Sequence, residues 1–333
     1  MTPILQIAVP SKGAMEEPTL RFLGDCGLKV RRTNSRQYSA PMGSGAFLQA
    51  VFQRAADIPR KLATGLVDVG ITGFDIFSEH MGDTRDVIVA VEDLGFARCS
   101  LDLAVPEAWL DVTNMEDLVD VAAEFQHRGR PLRIATKFPR LVRHFLLGRG
   151  LVSHSLVEGT GALEIAPAMG YADIIADISE TGTTLRANHL KPLADGAILR
   201  SQACLLVNRA RLATSPTRLE ALRGVLEMIE AHQRARELVS ITANVEGGDM
   251  RQVAQTVLRR RDLAGMRGPT LTPVFDPDCP DRVFAVTLVV ATSQLAEAKD
   301  HLRACGGGAI TVQSPLYVFE RESTLYARLR EKL

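Results

Sequence analysis

The segment EIAPAMGYADIIADISETGTTLRANHL, Glu164–Leu190, carries the clearest structural pattern in the chain. A short helical stretch leads into the apolar run around Ile174 and Ile175, and then into the small-residue loop Glu180–Thr184. Such a loop directs backbone N–H groups and hydroxyls at one point, which favours a phosphate. Asp177 ends the predicted strand, where it can accept hydrogen bonds from hydroxyls beside that phosphate. The segment therefore predicts a strand–loop–helix unit that binds a phosphorylated sugar.

The same alternation of strand and helix runs outward along most of the chain. Strands are predicted at Leu5–Val9, Val67–Ile71, Val87–Val91, Leu101–Val105, Arg133–Thr136, Ile174–Ile178 and Ala203–Val207. Helices are predicted at Met15–Cys26, Ile58–Thr64, Met115–His127, Pro139–Arg149, Ala162–Met169 and Pro216–Arg236. Alternation of this kind is typical of an α/β fold with parallel or mixed sheets.

Two stretches of the chain share one pattern. Lys61–Ile76 and Pro167–Gly182 both run from a helix end through glycine and aspartate into an apolar strand and a loop. Two similar α/β lobes would explain the repetition, although βα units share these preferences and chance similarity is equally open. Ligands of open α/β sheets bind at the carboxyl ends of strands. We therefore predict a cleft between lobe I, residues 1–97 with 195–235, and lobe II, residues 98–194.

The pattern changes after Arg236. Strands are predicted at Val239–Val245, Thr270–Phe275, Val283–Val290 and Ala309–Val312, and helices at Met250–Arg261 and Gln294–Ala304. The order β-α-β-β-α-β is the ferredoxin-like arrangement. Residues 236–333 are therefore predicted to form a third domain for regulation or oligomerisation, with a tail helix at Ser323–Leu333.

Composition restricts the functions open to the 333 residues. Lysine plus arginine and aspartate plus glutamate each number 39, so the formal net charge is zero, which argues against a nucleic-acid binder. No apolar run approaches the roughly 18 residues of a membrane span, and the first residues read as a strand rather than a signal peptide. The scattered cysteines favour reduced thiols in a cytoplasmic protein over disulfides or a zinc site: Cys26, Cys99, Cys204, Cys279 and Cys305.

The whole segment Glu164–Leu190 is a more specific indication of function than its loop alone. It contains Glu164, Gly170-Tyr171-Ala172, Ile175-Ala176-Asp177-Ile178 and Thr181-Gly182-Thr183-Thr184-Leu185. This order and spacing resemble the signature of the ATP phosphoribosyltransferase family, which catalyses the first step of histidine biosynthesis. Four further stretches are similar to parts of that family, and a fifth is similar to its long form: Ala8–Leu20, Val67–Asp75, Asp93–Cys99, Arg133–Phe145 and Gly268–Pro273.

The resemblance implies a reaction and a fold. Members of the family join N1 of ATP to C1 of 5-phosphoribosyl 1-pyrophosphate (PRPP), release pyrophosphate and require Mg²⁺. The implied fold is a pair of periplasmic-binding-protein-like α/β lobes around a catalytic cleft, followed by a ferredoxin-like, ACT-like domain.

The resemblance also implies how PRPP is bound. Asp177 is expected to hold the ribose hydroxyls and the loop after it the 5-phosphate. The implied PRPP-binding residues are Asp177, Ile178, Ser179, Glu180, Thr181, Gly182, Thr183, Thr184 and Leu185. From the residues alone, the loop could also be an ordinary turn with a threonine N-cap, and Glu164 a carboxylate that favours a helix start.

An ATP and pyrophosphate side is implied as well. Its residues are Lys12, Gly13, Arg54 and Asp75. Ala14 stands where many relatives have arginine or serine, and Ala56 stands where a lysine is common. From the residues alone, Lys12 could be a solvated loop residue, and Asp75 could be the N-cap of a helix over Phe74–His80.

The third domain implies regulation. In the long form of the family, histidine acts on this domain as the pathway end product, and the enzyme is a hexamer. The domain could instead serve only in oligomerisation, because Thr242–Asp249 departs from the family pattern before the first helix. We expect a homo-oligomer, from dimer to hexamer, with histidine as effector, and assign no effector residues.

Two other functions stay open at the level of the sequence. Paired lobes also suit a non-catalytic solute-binding module, and the phosphate loop alone suits a phosphoribosyltransferase with another base acceptor. Similarity at Lys12, Asp75 and Gly95-Phe96 favours ATP. The sequence assigns no general base and no Mg²⁺ ligand.

One basic group could form a face of the cleft or a solvated helix face: Lys137, Arg140 and Arg143.

Overall fold

The computed structural model describes residues 5–34, 36–43, 47–82, 84–159, 161–180, 182–275 and 282–333. Thr181 and Cys279, both singled out above, lie outside these residues. The chain divides into two compact units, one running up to Leu222 with Arg328–Leu333 added, the other comprising Arg223–Ala327. The first unit holds two sheets and the second holds one. The bounds of the lobes and of the third domain stay predictions.

The described residues form the following elements. The strands are β1 (Leu5–Pro10), β2 (Ser39–Met42), β3 (Leu48–Gln53), β4 (Val69–Gly73), β5 (Val87–Val91), β6 (Cys99–Pro106), β7 (Leu132–Thr136), β8 (His154–Glu158), β9 (Ile174–Ser179), β10 (Leu190–Ser201), β11 (Ala203–Asn208), β12 (Leu238–Glu246), β13 (Thr270–Val274), β14 (Val283–Ala291) and β15 (Gly307–Gln313). The helices are α1 (Glu16–Asp25), α2 (Ile58–Ala63), α3 (Phe74–Met81), α4 (Met115–His127), α5 (Pro139–Gly148), α6 (Ala166–Met169), α7 (Thr183–Ala187), α8 (Arg209–Ala213), α9 (Pro216–Ala235), α10 (Met250–Val257), α11 (Leu295–Ala304) and α12 (Thr324–Lys332). Within the described ranges, no helix combines the length and the apolar character that crossing a membrane requires.

The two sheets of the first unit have closely related topologies. One has the strand order β2-β3-β1-β4-β11-β5, in which β3, β1 and β4 are parallel and β11 is antiparallel to both neighbours. The other has the order β10-β6-β9-β7-β8, in which β8, β7 and β9 are parallel and β6 is antiparallel to its neighbours. Each sheet therefore gathers the carboxyl ends of three parallel strands at one edge, and the α/β prediction is confirmed.

Four strands were not predicted from the sequence, namely β2, β3, β8 and β10. β10 contains Pro192 and Gly196 and has register shifts between Pro192 and Leu199. Proline is tolerated there because β10 is an edge strand that pairs with β6 alone in its sheet. β8 lies at the opposite edge and buries no residue fully, so apolar alternation could not reveal it.

A matching aspartate precedes the central strand of each sheet. The Asp68 carboxylate accepts a hydrogen bond from the N–H of Gln6 at 2.8 Å, and the Asp68 N–H donates to the Gln6 carbonyl at 3.1 Å. Asp173 makes the same two contacts with Arg133, both at 2.9 Å. The repeated sequence pattern therefore corresponds to one repeated structural arrangement, in which an aspartate ties β4 to β1 and β9 to β7.

Each sheet is covered by helices that bury their apolar side. Leu118 of α4 and Val142 of α5 belong to the core of the five-stranded sheet. Ile58 and Leu62 of α2 and Phe77 of α3 belong to the core beside the six-stranded sheet. None of the four described cysteines takes part in a disulfide.

The third sheet confirms the ferredoxin-like arrangement. Its strand order is β13-β14-β12-β15, and the elements follow one another as β12-α10-β13-β14-α11-β15. Val257 of α10 and Leu302 of α11 pack with Ile241 and Leu288 of the sheet. Gly306, with φ of +86°, directly follows the C-cap of α11, a position where the left-handed conformation favours glycine.

Asp173 offers a test of the contact between β9 and β7. Burial alone would raise the pKa of its carboxyl, but hydrogen bonds from Arg133 and Arg130 outweigh burial and hold the pKa below its ordinary value. Replacing Asp173 with asparagine removes a largely buried charge from these partners. We expect the free energy of unfolding at pH 7, measured with urea, to fall by about 1–3 kcal/mol.

The pH dependence of this effect has a definite sign. Because the pKa is lowered in the folded state, the contribution is complete above the ordinary value of 3.8 and is lost as pH falls through the lowered pKa. Wild type and Asp173→Asn should therefore converge in strong acid. The exposed pair Arg128–Glu124 supplies the control, since Glu124→Gln should change stability by less than about 0.5 kcal/mol. Equal losses in the two variants would contradict the assignment.

Candidate active site

The loop after β9 is arranged around Asp177 and Gly182. Asp177 pairs with Asp102 of β6 near the carboxyl end of β9. Gly182 has φ of +70°, which favours glycine, and a Cβ atom there would meet nothing within 4 Å. Its N–H donates to Oγ of Ser179 at 2.8 Å. Gly182 is also the N-cap of α7, so the alternative of a threonine N-cap is wrong.

Asp177 is a half-buried carboxylate with charged neighbours of both signs. Burial raises its pKa above the ordinary value and Glu164 adds to the rise, while the N–H of Ile178 and the charge of Lys137 oppose it. The Ile178 N–H donates to Oδ1 of Asp177 at 2.9 Å. Glu164 thus acts on the site electrostatically, beyond any role at a helix start. Lys137 follows β7 and supplies a cation at the same sheet edge.

The predicted cations of the ATP side lie at one edge of the six-stranded sheet. β1 and β3 are parallel and in register, with Pro10 opposite Gln53. Lys12 and Arg54 follow these two strand ends, and both are exposed. Gly13 has φ of +81° and open space around its Cα. The structure therefore brings the three predicted residues to the same edge.

Asp75 lies in the first turn of α3, after the end of β4, and is buried. Its N–H donates to Oγ of Ser201 at 2.9 Å, and the Ser201 hydroxyl donates to Oδ1 of Asp75 at 2.6 Å. A Cβ on Gly73 would come within 2.3 Å of Oδ1, so the carboxylate occupies space that only glycine leaves free. Gly73, not Asp75, is the N-cap of α3. The alternative reading of Asp75 as an N-cap is therefore wrong.

Cys99 joins the two halves of the site. The pKa of its thiol is raised to about 11: burial is the largest cause, Asp75, Glu180 and Asp102 add to the rise, and a hydrogen bond with Ser201 opposes it. Cys99 lies opposite Ser201 in the pairing of β6 with β10, and Ser201 hydrogen-bonds to Asp75. The next residue, Ser100, lies opposite Ser179 at the end of β9, directly before Glu180. Sequence reasoning selected neither Cys99 nor Ser201, since no local pattern links either to Asp75.

Comparison with known proteins points to one family. A model of the family described as ATP phosphoribosyltransferase matches residues 54–231, and one described as HisG, C-terminal domain, matches residues 235–314. The chloroplastic ATP phosphoribosyltransferase 2 of Arabidopsis thaliana is 37% identical over 99% of this chain and 80% of its own length. ATP phosphoribosyltransferase of Bradyrhizobium sp. (strain ORS 278) is 36% identical over 98% and 97%.

The chain belongs to the ATP phosphoribosyltransferase family. The match to the C-terminal domain shows that it has the long form. It is a pentosyltransferase of the first step of histidine biosynthesis, as the resemblance implied. A solved ATP phosphoribosyl transferase (HisG:HisZ) complex from Thermotoga maritima aligns with 27% identity and a TM-score of 0.52, covering 68% of this chain and 96% of that chain. Family membership argues against the non-catalytic solute-binding alternative.

The basic residues Lys137, Arg140 and Arg143, at and just before α5, do not act as one face. Lys137 lies close enough to Asp177 to affect its pKa, and Arg143 is exposed. Arg140 hydrogen-bonds to the backbone of α3 in lobe I. In this member of the ATP phosphoribosyltransferase family the group is therefore divided between the site and a contact between the lobes.

Asp177 provides a test that separates function from structure. A raised pKa means that the ionised carboxylate is less favourable in the folded protein than in the unfolded chain, so above that pKa the charge costs stability. Asp177→Asn should leave the melting temperature at pH 7 unchanged or higher while weakening PRPP binding. Thermal melts and calorimetric titration with PRPP measure the two effects.

The pH profile is the second measurement on Asp177. In wild type, affinity for PRPP should decline as pH falls through the raised pKa, at a pH above the ordinary value of 3.8. Asp177→Asn should lack that decline. A variant that melts lower and binds PRPP normally would assign the residue to the fold instead.

Proposed function

We propose that PRPP binds to lobe II through Asp177 and the loop after it, and that ATP and the pyrophosphate side are held by Lys12, Gly13, Arg54 and Asp75. The observation that carries this proposal is the meeting of the two edges at the start of β6. There Cys99 pairs with Ser201, which hydrogen-bonds to Asp75, and Ser100 pairs with Ser179, the residue before Glu180. Two substrates bound at these edges would face each other across the cleft, which is the arrangement a direct transfer needs.

The loop suits a ribose 5-phosphate. Asp177 is an acceptor for the ribose hydroxyls, because its carboxylate has capacity beyond the bond from Ile178. Thr183 and Thr184 are exposed at the start of α7 and carry hydroxyl donors for phosphate oxygens. The open space at Gly182 lets the anion approach the backbone.

Mg²⁺ fits the residues that are present. The described residues contain no cluster of three potential histidine, cysteine, aspartate or glutamate ligands. Mg²⁺ commonly keeps several waters and binds through one or two carboxylates together with substrate phosphates. Asp177 and Glu164, whose charges interact, are the carboxylates that would hold it beside PRPP. When bound, the ion neutralises charge on the pyrophosphate leaving group.

The contribution of the chain itself is orientation. N1 of adenine has no proton at neutral pH, so its lone pair can attack C1 of the ribose without a general base. Lys12 and Arg54 offset the charge of the polyphosphates, and the two lobes exclude water from a cationic ribose. No residue is assigned a proton-transfer role.

The assay of this proposal uses ATP, PRPP and Mg²⁺ and follows phosphoribosyl-ATP by absorbance. Wild type should form the product, and AMP, adenine or GTP in place of ATP tests for another base acceptor. Thr184→Ala should raise KM for PRPP by about 5–150-fold, corresponding to about 1–3 kcal/mol for a lost hydrogen bond to a charged group. Thr214→Ala is the control, because the Thr214 hydroxyl, at the C-cap of α8, donates to the Ala210 carbonyl of that same helix. No product with any acceptor would reject the function.

We further propose that the third domain makes the chain a homo-oligomer, up to a hexamer, that responds to histidine, and that the protein works in the cytoplasm. The ferredoxin-like arrangement and the family match over residues 235–314 support a regulatory domain. L-Histidine should inhibit the full chain without competing with PRPP, whereas D-histidine should not. Light scattering with and without L-histidine measures the oligomer. Full activity in saturating L-histidine would contradict the regulatory role.

A further inference from the structure

Helices α3 and α5, which pack against different sheets of the first unit, cap each other. The Glu79 carboxylate of α3 accepts hydrogen bonds from the first turn of α5, from the N–H of Arg140 at 2.9 Å and the N–H of Leu141 at 3.0 Å. In return, the Arg140 side chain donates through Nε to the Glu79 carbonyl at 2.9 Å and through Nη2 to the Ser78 carbonyl. Each helix thus supplies the end group that the other lacks.

The charges match the helix ends that they meet. A carboxylate is favourable at a helix N-terminus and a guanidinium at a C-terminus, because of the unpaired N–H and carbonyl groups there. Glu79 is 8% exposed, so its carboxylate depends on these donors in place of water. Gly82 ends α3 with φ of +53°, and a Cβ there would lie 2.6 Å from Nη1 of Arg140. The backbone at this point leaves room for the guanidinium.

Along the chain, the contact lies only a few residues from a group in each half of the proposed site. Asp75 lies one helical turn before Glu79 on α3, so the two carboxylates share one rigid element. Lys137, which acts on Asp177, directly precedes the N-cap of α5. A change in the pairing of α3 and α5 therefore moves Asp75 relative to Lys137.

We propose that Glu79 and Arg140 are positioning residues, which hold the ATP side and the PRPP side at one separation so that N1 of ATP reaches C1 of PRPP. The inference rests on the proposed function. Neither residue contacts a substrate in this proposal. Their loss should therefore reduce turnover of the ternary complex and leave the binding of either substrate alone nearly unchanged. A misplacement of about 1 Å can cost on the order of 100-fold in rate.

The experiment compares Glu79→Gln, Arg140→Ala and Arg140→Lys with wild type. Glu79→Gln and Arg140→Ala should lower kcat at least about tenfold, within the range that small misplacements produce. Dissociation constants for ATP alone and for PRPP with Mg²⁺, measured by calorimetry, should stay within about threefold, well under the 1.4 kcal/mol of a tenfold change. Arg140→Lys retains a cation for the carbonyls of α3 and should lose less activity than Arg140→Ala.

Controls separate this inference from general damage and from the function itself. Glu124→Gln and Arg128→Ala alter the exposed ion pair at the end of α4, which has the same residue types as Glu79 and Arg140, and both should retain wild-type kcat. Hydrogen exchange of the Arg140 and Leu141 amides should quicken in Glu79→Gln while the rest of the chain stays protected. An unchanged kcat, or single-substrate affinities that fall as far as kcat, would overturn the positioning role. Absence of product from wild type would instead reject the proposed function together with this inference.

Discussion

Burial of a carboxylate directly ahead of the central strand is the constraint on which both lobes depend. Asp68 is 1% exposed, so its charge must find partners within the protein. Asp68 accepts hydrogen bonds from the N–H of Gln6 and the guanidinium of Arg211, and Asp173 accepts one from the N–H of Arg133. Because the aspartate binds both backbone and side chain, β4 and β9 cannot slide past their parallel neighbours. The register that results determines which residues stand at the carboxyl edge.

The same constraint places equivalent carboxylates at the cleft. Asp75 follows β4 as Glu180 follows β9, and both raise the pKa of Cys99. A thiol with a pKa of about 11 stays neutral at physiological pH, so Cys99 is a poor nucleophile. Cys99 is therefore not suited to form a covalent intermediate. This agrees with the direct transfer of the phosphoribosyl group proposed above.

Chain crossings and one pair of helices relate the two sheets of the first unit to each other. At the crossing from β10 to β11, the Gln202 carbonyl accepts from the N–H of Phe74 at 2.9 Å, and the Gln202 side chain donates to the Glu92 carbonyl at 2.8 Å. A further connection is the mutual capping by Glu79 and Arg140. These contacts use backbone groups at element ends, where donors and acceptors are left over from regular structure. Such contacts depend on where two elements meet in space, so they produce no periodic pattern in the sequence.

The sequence by itself determined the α/β class, the ferredoxin-like third domain and the loop after Asp177. These features follow from apolar periodicity, from glycine at positive φ and from spacing along one segment, all of which are local properties. Only the tertiary structure showed that β10 is an edge strand although it contains Pro192. It also showed that Ser201 hydrogen-bonds to Asp75 and that Arg140 bonds to the end of α3 in place of forming a basic face with its neighbours. Those outcomes depend on donors and acceptors brought together from distant segments. The type of a side chain determines which hydrogen bonds it can form, and the packing of distant segments determines which partner it meets.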